Sequence, residues 1–95
     1  MLSRRNQREI LKILAPLSPE RVGVFGSYAR NEETPDSDLD ILICLKDGVG
    51  MLQLVRIERE LSESIGVKVD LVTDRALKDS KLRSYIEGDL KLISP

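Results

Sequence analysis

Two stretches decide the reading of this chain: Val24-Phe25-Gly26-Ser27-Tyr28-Ala29-Arg30, and then Ser37-Asp38-Leu39-Asp40-Ile41-Leu42. Arg21 to Phe25 reads as a short strand that runs straight into Gly26-Ser27. A glycine there lets the backbone pass close to a ligand with no Cβ in the way. The turn amides and the Ser27 hydroxyl can then face a phosphate oxygen. Taken alone, Gly-Ser after a strand is an ordinary turn. The second stretch opens a strand over Leu39 to Leu45 that is mostly apolar and so expected to be central. Side chains alternate along a strand, so Asp38 and Asp40 share one face while Leu39, Ile41 and Ile43 share the other, toward a core. Two carboxylates side by side repel, and a divalent cation removes that repulsion. Alone, they are more readily read as a solvated strand start.

A third carboxylate joins them from Lys68-Val69-Asp70-Leu71-Val72, part of a strand expected over Val67 to Thr73. Aspartate is disfavoured inside strands. Val69 and Leu71 would face the core and Asp70 would face away from it. If this strand neighbours the second, Asp70 lands beside Asp38 and Asp40. Three carboxylates on one sheet face can hold two metal ions about 3.5–4 Å apart, an arrangement suited to in-line displacement at phosphorus. The turn at Ser27 would then supply the triphosphate site.

The remaining elements frame these three. Ser3 to Leu14 has Ile10, Leu11 and Leu14 at helical spacing, with Ser3 as N-cap and Pro16 near its end. Tyr28 to Asn31 reads as one helical turn, Glu32 to Ser37 as a polar loop, and Lys46 to Gly50 as another. Met51 to Ile65 is a second long helix whose expected inner face is Met51, Leu54, Val55, Leu61 and Ile65, with Gly66 just past its end. Asp74 can cap a short helix through Leu77, Leu82 to Ile86 can form another, and Leu90 to Ile93 an edge strand. No repeat or linker divides the chain, so residues 1–95 are expected to form a single domain. The order predicts a small α/β sheet of three to four strands with helices packed on one face.

Composition narrows the chemistry. The chain has 95 residues and no histidine, which excludes His-based acid–base catalysis and Ser-His-Asp triads. Cys44 is the one cysteine, so there is no intramolecular disulfide and no cysteine-rich zinc site. Catalysis is left to carboxylates, hydroxyls, Lys, Arg or a hard metal. Aromatic residues are limited to Phe25, Tyr28 and Tyr85, too few for a base-stacking platform. With 15 basic and 16 acidic residues the net charge is −1, which makes nucleic acid an unlikely partner on electrostatic grounds. Arg4, Arg5 and Arg8 read as a solvated helix face. No membrane span or signal-peptide core is legible, and the expected location is the cytoplasm.

Gly26-Ser27, ten residues, then Asp38-x-Asp40 resembles the signature of the DNA polymerase β-like nucleotidyltransferase superfamily. The flanking residues are similar to its small members, the minimal nucleotidyltransferases, which pair as antitoxins with HEPN-domain toxins. The resemblance covers nearly the whole chain and implies the family's small polymerase β-like sheet. It also implies site roles: Asp38 and Asp40 as the metal-ligand pair, and Asp70 as third ligand and base for the attacking hydroxyl. Gly26 and Ser27 would hold the β- and γ-phosphates, and Arg30 would contact phosphate or fix the loop. Asn31 stands where glycine is frequent, and it tolerates the same left-handed backbone. Glu87-Gly88-Asp89-Leu90 resembles the family's closing turn and strand. The implied activity is Mg²⁺-dependent transfer of AMP from ATP to a hydroxyl, expected to be a tyrosine of a HEPN partner, with pyrophosphate released. The alternative is a non-catalytic module that masks the toxin. Transfer to a small molecule ranks below both, because the chain has no room for an acceptor domain, and polymerisation ranks lower still.

Overall fold

The computed structural model describes residues 2–77 and 80–93. Helix α1 spans Arg4–Leu14, and Ser3 caps it by accepting a 3.1 Å hydrogen bond from the Asn6 amide. A 3-10 turn at Ala15–Leu17 carries Pro16 and leads to strand β1, Arg21–Phe25. Strand β2 spans Leu39–Cys44, helix α2 Met51–Ile65 and strand β3 Val69–Thr73. A second 3-10 turn, Asp74–Ala76, precedes helix α3, Ser80–Asp89, and the two-residue strand β4, Lys91–Leu92. Gly66 ends α2 in the left-handed conformation (φ 85°), where its amide donates to the Ser62 carbonyl.

The sheet order is β3-β2-β1-β4. β1 runs antiparallel to β2 and to β4, whereas β2 and β3 are parallel with α2 as their crossover. Strand alternation then divides the side chains. Leu39, Ile41 and Ile43 of β2 are fully buried against α1 and α2, together with Val22, Val24, Val69 and Leu71. Ile10 and Leu14 of α1 and Leu61 of α2 close this core, each with no exposed surface.

The one-face packing expected from the sequence holds for the two long helices. The opposite face is not bare, however. Leu42 and Cys44 of β2 and Phe25 of β1 lie under Leu77 and Ile86, so α3 covers one end of that face. Asp40 and Asp70 belong to the same face by alternation and are only half-buried there. The α3 helix is longer than the Leu82–Ile86 expectation and runs through Gly88. The third strand is shorter than expected, since Val67 and Lys68 lie outside it.

The inner face of α2 also differs from expectation. Met51 is 79% exposed and Val55 49%, while Ile57 and Leu61 are buried and Leu54 and Ile65 partly so. Apolar residues occur nearly all round this helix, so its rotation is set by what it packs against. Truncation of Leu61 to Ala is expected to lower stability by about 2–5 kcal/mol. Met51→Ala is expected to change it by no more than about 0.5 kcal/mol. Urea denaturation of the two variants checks this, because the reverse order would mean that α2 presents its other face.

Candidate active site

Three segments converge at the end of the sheet where β1 stops and β2 and β3 begin. The backbone register pairs Phe25 with Asp40 across β1 and β2, and Asp40 with Asp70 across β2 and β3. Residues directly opposite in adjacent strands point to the same face. The two carboxylates therefore stand side by side, as expected if the strands were neighbours. Asp38 lies two residues before Asp40, just outside the strand, where its charge helps to raise the Asp70 pKa.

Gly26 is where the turn meets the carboxylates. It is buried and takes φ +74°, a backbone conformation that L side chains rarely adopt. A Cβ built on it would lie 2.3 Å from Asp40 Oδ2, well inside contact distance. The absent side chain is thus what leaves the Asp40 carboxylate free at the start of the turn. The expected helical turn is a tight turn over residues 26–31 without a helix. In it the Arg30 amide donates to the Gly26 carbonyl (3.2 Å) and the Glu32 amide to the Ser27 carbonyl (2.9 Å). Asn31 closes it at φ +57°, the left-handed conformation expected for this position.

The electrostatics are those of crowded anions. Burial raises the Asp40 pKa above its usual value, the Asp70 and Asp38 charges add to that, and Arg30 partly opposes it. Asp70 is raised by burial first, then by Asp38, with Lys68 opposing and Glu58 reinforcing. Lys68 was no part of the expected site, yet its Nζ lies 3.8 Å from Asp38 Oδ2. At 72% exposure it is a loosely held counter-charge and a weak one. Arg30 is bound elsewhere as well: it pairs with Asp89 of α3 at 2.5 Å and with Glu32 at 3.4 Å. This joins the turn to the end of α3 across 59 residues of sequence.

Among the described residues, no three His, Cys, Asp or Glu side chains are drawn tightly enough to enclose an ion as they stand. The donor chemistry nevertheless fits Mg²⁺. All three groups offer oxygen, which this ion prefers, and the bare Gly26 Cα leaves the Asp40 oxygen accessible.

Comparison with known proteins gives a consistent picture. The nucleotidyltransferase domain family matches residues 4–93. A Methanocaldococcus jannaschii protein described as a protein adenylyltransferase is 37% identical over 86 residues, covering 90% of this chain and 86% of its own. The protein adenylyltransferase MntA of Thermococcus cleftensis is 42% identical over 65 residues, covering 68% of this chain and 66% of its own. The fold recurs, at TM-score 0.79 and 21% identity, in a structure of the tri-AMPylated Shewanella oneidensis HEPN toxin in complex with its MNT antitoxin. That match covers 98% of this chain and 72% of the other.

Two outcomes follow from this geometry. The upward shift at Asp40 means that the folded state favours its protonated form. That contribution is full below the ordinary carboxylate range, and it is lost as pH rises through the raised value. At neutral pH the ionised group therefore opposes folding. Asp40→Asn is expected to raise Tm at neutral pH, with a gain that shrinks as pH falls toward about 4. Thermal melts at the two pH values check the sign. Gly26→Val is expected to abolish nucleotide binding and lower Tm, because the side chain meets both a forbidden φ and the Asp40 oxygen. Calorimetric titration with ATP and Mg²⁺ reads the binding.

Proposed function

The chain belongs to the nucleotidyltransferase domain family, and from that premise we propose that it is an antitoxin that transfers AMP from ATP onto a HEPN-domain toxin. The observation that carries the reading is the register of Asp40 opposite Asp70, with Gly26 packed bare against the Asp40 oxygen. Relatives with protein adenylyltransferase names, at 37% and 42% identity, support AMP as the group and protein as the acceptor. The shared fold of the antitoxin in the AMPylated HEPN complex supports the partner.

In this reading the Gly26-Ser27 turn takes the β- and γ-phosphates, with the Ser27 hydroxyl donating to a phosphate oxygen. Asp38, Asp40 and Asp70 would hold Mg²⁺, in two ions, which neutralises triphosphate charge and acidifies the acceptor hydroxyl when bound. A tyrosine hydroxyl of the partner forms a bond to the α-phosphorus. The bond from that phosphorus to the bridging oxygen breaks, and pyrophosphate leaves. The hydroxyl proton passes to the Asp70 carboxylate, which the register sets beside Asp40. Arg30, tied to Asp89 and Glu32, holds the turn in shape and sets positive charge near Asp40. The partner aligns its own hydroxyl, a role that contributes a large part of the rate in such displacements.

Intact-mass measurement tests the proposal. Incubation of the wild-type chain with ATP, Mg²⁺ and a purified HEPN partner is expected to add whole AMP units to the partner. Asp40→Asn and addition of chelator are each expected to leave the partner mass unchanged. Ser27→Ala is expected to weaken ATP binding by about 0.5–1.5 kcal/mol without abolishing transfer. A partner that is inhibited with no mass change under ATP-saturating conditions would favour neutralisation by masking instead.

A further inference from the structure

We propose that Glu58 and Ser62 of α2 are positioning residues for Asp70, clamping the edge strand on both sides of it. The inference rests on the reading of Asp70 as the base. β3 lies at the edge of the sheet, so one side of its backbone has no strand to pair with. Two side chains take that place. The Leu71 amide donates to Glu58 Oε2 at 2.8 Å, and the Val69 amide donates to Ser62 Oγ at 2.9 Å. Val69 and Leu71 are the immediate neighbours of Asp70.

The geometry makes the two bonds a unit. Glu58 and Ser62 are one helical turn apart on the same face of α2, a rise of about 5.4–6 Å. Val69 and Leu71 are two residues apart on a strand, a span of about 6.6 Å, with amides on the same side. The two repeats match, so one turn of helix satisfies the strand amides on either side of the aspartate. Ser62 is itself fixed, because its hydroxyl donates to the Glu58 backbone carbonyl at 2.9 Å and turns its lone pairs toward Val69. On its other side Asp70 is held by β2 through the register with Asp40. The carboxylate thus projects from a backbone fixed from both flanks, although it is the second residue of an edge strand, where fraying would otherwise be expected.

A positioning role predicts a specific pattern. The phosphate-holding turn follows β1, and two of the three metal-holding carboxylates, Asp38 and Asp40, lie at β2, so loosening β3 displaces the base far more than it weakens ATP binding. Glu58→Ala and Ser62→Ala are each expected to lower kcat for AMP transfer by about 10- to 100-fold, the scale of effect for an ångström of misplacement. KM for ATP is expected to change by less than about twofold. Glu58→Gln is expected to retain most activity, since its side-chain carbonyl accepts the same Leu71 amide. Exposed Glu60→Ala serves as the control on the same helix.

All variants are assayed well below their melting temperatures, by pyrophosphate release with ATP, Mg²⁺ and a HEPN partner, beside Asp70→Asn. Loss of kcat in the alanine variants with rescue by Gln supports the proposal. Alanine variants that lose only stability, with kcat unchanged, overturn it, as does a Gln variant as impaired as Ala. An inactive Asp70→Asn beside a fully active Glu58→Ala removes the positioning role alone. An active Asp70→Asn removes the reading of Asp70 and the positioning role together.

Discussion

The parallel pairing of β2 with β3 is the constraint on which the rest depends. One register places Leu39 opposite Val69 and Ile41 opposite Leu71 on the buried face, and Asp40 opposite Asp70 on the other. A slip of β3 by one residue would put Asp70 into the core and Val69 and Leu71 into water. Burial of the aliphatic side chains under α1 and α2 therefore enforces the approach of two carboxylates that repel each other. The apolar face supplies the stability, and the acidic face spends part of it (the strain that a functional site carries).

The acidic face is shaped by what borders it. Leu77 and the α3 residue Ile86 cover Phe25, Leu42 and Cys44, beside the half-buried Asp40 and Asp70. Arg30 reaches from the Gly26-Ser27 turn to Asp89 at the end of α3, so the cover and the turn are joined by an ion pair. Gly26 then brings its backbone against Asp40 at a distance that no other residue type allows. A divalent metal and the proton of an incoming hydroxyl both call for a concentrated, partly dehydrated field of carboxylate oxygens, and the metal's charge is what lets a triphosphate approach them. The raised proton affinities of Asp40 and Asp70 report that field.

Most of this arrangement could be read from local sequence. The alternation in Asp38-Leu39-Asp40-Ile41 and in Val69-Asp70-Leu71 assigned each side chain to a face, and the packing agrees. Ser3, Gly66 and Asn31 carry local conformational signals, and each adopts the backbone expected of it. What escaped reading depends on distant partners. The rotation of α2 could not be told from a helix with Met51, Leu52, Leu54, Val55 and Ile57 in its first two turns, because apolar residues there occupy several faces. The extension of α3 through Gly88 runs against glycine's poor helix propensity. The Arg30–Asp89 pair spans too much chain to infer, and Lys68, Glu58 and Ser62 look like ordinary polar residues until β3 is seen at the edge of the sheet.

The site proposed for divalent cations is built from Asp38, Asp40 and Asp70 beside the Gly26-Ser27 turn. Its most direct measurement is Mn²⁺ titration of the isotopically labelled chain, followed by paramagnetic broadening of its amide resonances. Substoichiometric Mn²⁺ is expected to broaden selectively the amides of Gly26, Ser27, Asp38, Asp40 and Asp70, while those of α1 keep their intensity. Broadening centred elsewhere, or spread evenly over the acidic surface residues, would contradict it.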